Sequence, residues 1–530
     1  KLTVEYTANP TWLMIQTLPS ISEVDEKNAI NLVSAYYANT LGKYIMQQTP
    51  VIKKVVELWN KENTADGGSL ISSLEKNQEL KTIVLDETPW VMDANKESDQ
   101  KKRLSTFFDE SAISYRLTSQ FTALSSLQNS NGSWSWWQGM NGSPSMTAHV
   151  LETLARLKSM TGITQADRII EKGMTYLGSV VVEEYKKMKK QEKQGEVPEV
   201  YDSHAIQYLY INALLNRKLP LAEKPVKDYL LTYLRKDRQR NIYAKALMAV
   251  VLNNDGKKQE AKEYVESIRQ YTVSKPEMGR YFDSPRAGYS WFDYRIPTQT
   301  AAIEALKAVE PNDINTINEM RLWLLQCKHT QAWDTPINSV NAVYAFIDGN
   351  YKELSVDNAK DFSIAVDGKH QSLPKASVGL GYSKMVYDIN KQQNLTMSKT
   401  ANGTSWGAVY DQFSQKVENV SDAASGIKIE REIISEAAKN IRSLAVGDRI
   451  KVRLTIIADR DYDFVQVTDK RAACMEPANQ ISGYGWGYYC VPKDNATNYY
   501  FNCLSKGKHG VETEYYVDRI GDYHTGIATV

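Results

Sequence analysis

Residues 127–157 read LQNSNGSWSWWQGMNGSPSMTAHVLETLARL, and the fold of the chain is decided by how this stretch is read. It holds a turn-forming Asn-Ser-Asn-Gly, three tryptophans at Trp134, Trp136 and Trp137, and a second loop ending in Gly-Ser-Pro. A helix follows, with apolar residues at Val150, Leu151, Leu154 and Leu157. That spacing is the stripe of an amphipathic helix against a core. Aromatics placed in a loop between helices predict a plug wedged between neighbouring helical hairpins. Two roles stay open for Trp134, Trp136 and Trp137: packing, which their burial energy favours, or a contact surface. His149, on the helix after the loop, reads better as a polar residue lining a barrel interior than as a catalytic base.

The phrase recurs. GYSWFDYRIPTQTAAIEAL (288–306) carries Tyr289, Trp291, Phe292 and Tyr294 in a loop, with a helix predicted from Thr298. LLQCKHTQAWDTPINSVNAVYAFI (324–347) places Trp333 in a loop before a helix from Asn338. Further helical periods run over 28–46, 51–59, 70–80, 167–189, 204–216, 226–234, 243–253 and 258–269, with an irregular connection over 81–109. Lysine-rich 186–195 reads as a frayed helix end and a solvated loop. Repeated loop-aromatic-helix phrases predict a closed or curved array of helical hairpins, an α/α toroid.

The flanks have a different period. Leu2, Val4 and Tyr6 alternate with polar residues as a half-buried strand. Beyond Gly349 the alternation returns at Phe362, Ile364 and Val366, at 427–429, at 450–456 and at 464–467, with turn signals at Asp367-Gly368 and Asn402-Gly403. The fold class is therefore α plus all-β, a toroid inserted in or followed by β-sandwich modules. Residues 1–19 supply strands of a small β domain, 20–353 the toroid, 354–425 the rest of the small β domain, and 426–530 a sandwich. The last strand breaks off in mid-pattern at 525–530.

A chain of 530 residues is too long for one core. Its net charge of +1 gives no argument for a nucleic-acid partner, and no apolar run is long enough to span a bilayer. Lys1 opens directly into the first strand, consistent with removal of a leader. Of four cysteines the first is Cys327. Cys490 and Cys503 would face each other across a hairpin turning at 494–498, which leaves a disulfide or two free thiols as alternatives. The six histidines are dispersed, no phosphate loop, nucleophile elbow or metal motif occurs, and neither cofactor nor metal is expected. Gln128-x-x-x-Gly132-x-Trp134 resembles the Gln/Trp repeat of triterpene cyclases, but the acidic clusters those enzymes use are missing. Asp109-Glu110 and Glu183-Glu184 read as solvated helix ends.

Taken in order, several phrases resemble the C-terminal part of bacterial alpha-2-macroglobulins over nearly the whole chain. Asn9-Pro-x-Trp12 with Gln16-x-Leu-Pro19 resembles the strand entering their thioester domain, and Tyr36-Tyr-Ala-Asn39 the helix after the thioester. Leu127-Gln128 to Trp134 with Thr147-Ala-x-Val-Leu151 resembles the family's Leu-Gln-x-x-Asp-Gly-Gly loop and its following helix. Val446-Gly-Asp-Arg449 with Val467-Thr-Asp469 resembles the last macroglobulin-like domain, and residues 354–425 a CUB-like one. The departure lies at the family's Cys-x-Glu-Gln, where alignment without gaps puts Asn28-Ala-Ile30-Asn31. Asn28 replaces the cysteine, Ile30 the glutamate and Asn31 the glutamine. An amide is no leaving group for an activated acyl, so covalent capture is excluded.

The resemblance thus implies a thioester-less protein, not an enzyme, exported to the periplasm or cell envelope and anchored, if at all, through a region outside this chain. Its implied partners are proteases, trapped without a covalent bond, or another envelope protein for which it is a scaffold. The rival from the enzyme class is a toroidal glycosidase or lyase, which requires a deep axial pocket lined by two carboxylates with raised or split pKa values. An axis filled by Trp134, Trp136 and their neighbours is the expectation against it. The resemblance also implies that the strand 1–7 pairs with strands from 361–425, which would make the toroid an insertion into a small β domain.

Overall fold

The structure is a computed structural model that describes residues 2–7, 11–24, 27–49, 52–53, 103–196, 198, 202–236, 241–276, 278–283, 295–328, 332–349, 362–371, 382–387, 394–400, 405–411, 421, 424, 426–435 and 443–530. The chain divides into two compact units, Lys1–Asp411 and Gln412–Val530.

In the first unit, strand β1 (Leu2–Thr7) and two short helices, α1 (Thr11–Ile15) and α2 (Leu18–Ser22), lead into two layers of helices. The inner layer consists of α3 (Ala29–Gln48), α5 (Pro144–Thr161), α7 (Asp202–Leu215), α9 (Ile242–Asn254), α11 (Arg295–Val309) and α13 (Pro336–Ile347). Between them in sequence stand the outer helices α4 (Glu110–Ser126), α6 (Asp167–Lys193), α8 (Lys224–Lys236), α10 (Lys258–Gln270) and α12 (Ile314–Gln326). Each inner helix packs on the next, and α13 returns to α3, so the ring closes. The pair α1 and α2 rests on α13 and α3, filling the outer position between them.

Composition sorts the layers. Outer α10, KQEAKEYVESIRQ, buries Ala261, Tyr264, Val265 and Ile268, one stripe at helical spacing. Inner α9, IYAKALMAVVLNN, is buried at Ile242, Tyr243 and every residue from Lys245 to Leu252, because it touches neighbours on both sides.

The loop-aromatic-helix phrase is one device used twice. The Trp134 indole N–H donates to the Leu124 carbonyl at 3.0 Å, and that of Trp333 to Leu324 at 2.9 Å. The backbone N–H of Trp134 donates to the Thr147 hydroxyl at 2.8 Å, and that of Trp333 to the Ser339 hydroxyl at 3.1 Å. Each hydroxyl in turn donates to the carbonyl of the helix-capping residue, Ser143 or Thr335, which is followed by a proline. Proline at the first helical position loses no hydrogen bond, and the cap oxygen answers an open N–H. Gly132, at φ +92°, lets the first loop lie on α6, where a Cβ would meet the Lys172 carbonyl oxygen at 2.2 Å.

Two three-stranded sheets complete the unit. One has the order β6 (Tyr382–Tyr387), β1, β8 (Trp406–Asp411), so the first strand does pair with strands from beyond the toroid, which is inserted into a small β domain. The other is β5 (Lys369–Gln371), β4 (Phe362–Val366), β7 (Leu395–Lys399). Asp367 and Gly368, both at positive φ, make the predicted turn between β4 and β5. A short hairpin, β2 (Val273–Lys275) and β3 (Gly279–Tyr281), follows α10.

The second unit packs a four-stranded sheet, β12 (Met475–Pro477), β16 (Gly507–Val517), β10 (Arg449–Ala458), β9 (Ile427–Ser435), on a five-stranded one. The latter runs β13 (Gly483–Tyr484), β14 (Tyr489–Pro492), β15 (Ala496–Leu504), β11 (Tyr462–Lys470), β17 (Ala528–Thr529). Their inner faces share one core in which Ile450, Val452, Leu454 and Ile456 meet Val467, Tyr499 and Phe501.

Several expectations are corrected. Of the described residues among 1–19, expected as strands, only Leu2–Thr7 form one; the apolar run after Pro10 forms the short helices α1 and α2, which bury Met14, Ile15, Leu18 and Ile21 in the helical core. Cys490 lies opposite Tyr499 and Cys503 opposite Asp463, because the turn falls at 493–495; the two do not face each other and neither is in a disulfide. The lysine-rich stretch continues α6 to Lys193, where basic residues suit the negative end of the helix dipole. Strands β7 and β8 join different sheets, so they form no hairpin; Asn402-Gly403 itself lies outside the described residues. So do the aromatics 289–294 and the helical periods 51–59 and 70–80, apart from 52–53.

Thr147→Val keeps the side-chain shape but leaves the buried Trp134 N–H without an acceptor, and the expected loss of stability in urea unfolding is about 1–3 kcal/mol. Unchanged stability would show that the hydroxyl does not hold the loop.

Candidate functional site

Two places in the toroid concentrate chemistry, and the first is the start of α3. Asn28 caps this helix, its side-chain oxygen accepting the Asn31 N–H at 2.8 Å. The Ala29 N–H, one of the donors a helix start leaves open, donates to the carbonyl of Trp136 at 3.1 Å. The tryptophan loop is thus hydrogen-bonded to the start of α3 through Trp136 and Ala29. Asn28 and Ile30 are buried and Asn31 half-buried. No thiol stands here; Cys327, the first in the chain, follows the last turn of α12.

The three tryptophans separate by environment. Trp134 has no exposed surface and abuts Gly173 of α6, where a Cβ would sit 2.6 Å from its ring, so it is core and presents no contact surface. Trp136 is partly buried against the same core. Trp137, 41% exposed, is the one that offers area to solvent, with Met140 beside it in sequence at 53%.

The second place is the axis of the ring. Arg156 of α5 reaches across it with nearly its whole side chain buried. Its Nε donates to the Tyr210 hydroxyl at 2.9 Å, Nη1 to Asn341 at 2.8 Å and to Glu152 at 2.9 Å, and Nη2 to Glu304 at 3.1 Å. The guanidinium also stands over the rings of Tyr210 and Tyr344. Glu152 further accepts from Gln207 at 3.1 Å and from Tyr243 at 2.8 Å. Glu304 accepts from Tyr210 at 2.6 Å and Tyr344 at 2.9 Å. Inner helices α5, α7, α9, α11 and α13 are thus joined through one cation.

Burial raises the pKa of Glu304, with Arg156 and the tyrosine hydroxyls opposing, and pushes the Tyr210 and Tyr344 hydroxyls far up. Burial also lowers His149, against the pull of Glu152. His149 lines a cavity of about 20 Å³ together with Glu152, Arg156, Tyr243 and Asn341. That is room for a water molecule.

The axis is therefore filled, but by this polar network and not by Trp134 and Trp136 as expected. Two buried carboxylates do meet there, as the glycosidase reading requires. Their oxygens, however, are all engaged by side chains, one guanidinium bridges the pair, and no cleft admits a sugar between them. Sequence reasoning placed His149 at the interior and missed the rest. The available signal was a Glu-x-x-x-Arg pair, Glu152 and Arg156, inside an otherwise apolar helix.

A closed double ring of helices interrupting a small β domain, followed by a β-sandwich, defines a thioester-domain-like toroid with a macroglobulin-type module. The family model of the A-macroglobulin TED domain matches residues 69–332, and that of the bacterial alpha-2-macroglobulin MG10 domain matches 426–530. The chain belongs to the alpha-2-macroglobulin family. Among solved structures it is similar to native Escherichia coli alpha-2-macroglobulin spanning MG7 to the C-terminus, at 12% identity and TM-score 0.40, over 99% of this chain and 73% of that one. Salmonella alpha-2-macroglobulin reacted with methylamine matches at 13% identity and TM-score 0.39, over 99% of this chain and 30% of that one. The trypsin-activated E. coli protein matches at 14% and 0.39, over 80% and 29%. The domain models carry the assignment. No curated protein matches the sequence.

Replacing Arg156 by methionine strands two buried carboxylates, and the expected loss is about 3–5 kcal/mol at pH 7.5. The Glu304 pKa, already raised, rises further once its cation is gone, so the folded variant favours the protonated acid. Its stability is then lost as pH rises through that pKa, and the deficit should shrink when unfolding is measured at pH 5. A deficit independent of pH would contradict the network.

Proposed function

We propose that this chain is the C-terminal part of a thioester-less alpha-2-macroglobulin-like protein of the bacterial envelope, periplasmic or anchored through a region outside the chain, which restrains proteases without bonding to them. It is not a catalyst on this reading. The observation that carries it is the start of α3, where Asn28 serves as a helix cap beneath the Trp136 carbonyl and no thiol is within the segment. A protease as partner is supported by the similar E. coli protein, solved in forms activated by trypsin and by porcine elastase. An envelope location is compatible with the chain itself, since among the described residues no helix is long and apolar enough to cross a membrane. The chain spans 29% and 30% of the E. coli and Salmonella proteins it matches.

The test uses the full-length protein incubated with trypsin or elastase. Denaturing electrophoresis should show no conjugate, while hydrolysis of a large protein substrate falls severalfold and that of a small peptide substrate is spared, as expected of a steric restraint. A denaturant-stable conjugate would overturn the thioester-less reading. An unchanged protease on both substrates, together with specific capture of an envelope protein, would replace it by a scaffold role.

A further inference from the structure

A second cavity, of about 220 Å³, opens at one end of the toroid between the C-terminal ends of α7 and α9 and the first turn of α8. The charges around it are spent on one another. The Arg217 side chain, only 6% exposed, donates to Glu223 at 2.7 Å and to Glu171 at 3.4 Å, and the Tyr208 hydroxyl completes Glu223 at 2.7 Å. Lys227 and Lys257 both bond Asp255. Three cations thus meet three carboxylates, leaving no net charge to draw an ion.

What remains open is amide and guanidinium hydrogen-bonding capacity. The Asn216 side chain has no partner among the described residues, and Asn254 uses only its Nδ2, on the Ala213 carbonyl at 3.1 Å. Asn212 donates to the Tyr208 carbonyl at 2.7 Å, and its oxygen has only a 3.5 Å contact from Arg217, whose Nη2 bonds no described residue. Leu209, Leu219 and Val251 also line the cavity and add aliphatic surface to it. Planar amides beside an apolar face fit a molecule that has a C–H face and an edge of hydroxyls. The volume lies below the roughly 300–1,000 Å³ of sites for larger ligands, which limits the size to a single ring.

We propose that this pocket binds a neutral, polyhydroxylated ligand of monosaccharide size. The site is remote in role from the saturated carboxylates of the axis: it binds and performs no hydrolysis. It is also independent of the protease reading, since either can fail alone.

Saturation-transfer NMR on the whole chain, with D-glucose, D-galactose, D-mannose and N-acetyl-D-glucosamine as probes, should show transfer to at least one sugar, and none to glutamate or methyl phosphate, both of which carry C–H protons to report. Asn254→Trp, which fills the mouth, should abolish the signal. Asn216→Gly removes the amide while keeping a backbone at φ 46° that glycine tolerates, and should weaken binding about tenfold, the worth of one hydrogen bond. The proposal is overturned by a folded wild-type chain that takes none of the four sugars, by sugar binding that both variants retain, or by a charged probe occupying the pocket in preference.

Discussion

A guanidinium held away from water must find its partners in protein, and at the centre of this toroid Arg156 finds them on four inner helices. Desolvating a charge costs several kcal/mol, which only full pairing offsets. The pairing is built accordingly: two carboxylates, a tyrosine hydroxyl and an asparagine oxygen occupy its donors, while further tyrosines and a glutamine occupy the carboxylates. This fixes the register of α7, α11 and α13 against α5, because turning any of them would cost Arg156 a partner. The outer helices are held by ordinary apolar stripes and impose no comparable condition.

That arrangement also separates two meanings of a buried acidic pair. Glu152 and Glu304 have the burial, and Glu304 the raised pKa, that mark catalytic carboxylates elsewhere. Catalysis needs an oxygen free to take or give a proton and space for a substrate, and here neither is present. The toroid is organised around a structural knot, and chemistry aimed at other molecules has to be sought at its ends.

One such end is the start of α3, covered by the tryptophan loop. The loop is positioned by a threonine hydroxyl that answers both a helix cap and a tryptophan N–H, the arrangement that Ser339 repeats under Trp333. Rigid loops over a capped helix suit a covered site. Here the helix start holds the Asn28 cap and the Ala29 N–H on the Trp136 carbonyl, with Asn28 and Ile30 buried.

Much of this was legible in the residues. Periodicity separated toroid from β modules, the repeated Trp-loop-helix phrase indicated a ring, and the alternation of Leu2, Val4 and Tyr6 required a partner strand that β6 and β8 supply. Resemblance drew attention to the segment Asn28–Asn31, and the structure adds the hydrogen bond from Ala29 to the Trp136 carbonyl. Three matters belonged to tertiary structure alone. Cys490 and Cys503 would face each other only if the turn were centred two residues later than it is, and strand register tolerates no such slip. Trp134 could be read as plug or contact until its burial against Gly173 made it core. Above all, Glu152 and Arg156 lie off the apolar stripe of Val150, Leu151, Leu154 and Leu157, the face that an isolated amphipathic helix would give to water. By itself the sequence determined the long helices and the main β regions, and that no thiol precedes Cys327, because these follow from local pattern and composition, whereas the short helices at 11–15 and 18–22 did not show in the pattern. Which face of an inner helix meets solvent was decided only when the ring closed, since burial depends on neighbours distant in sequence.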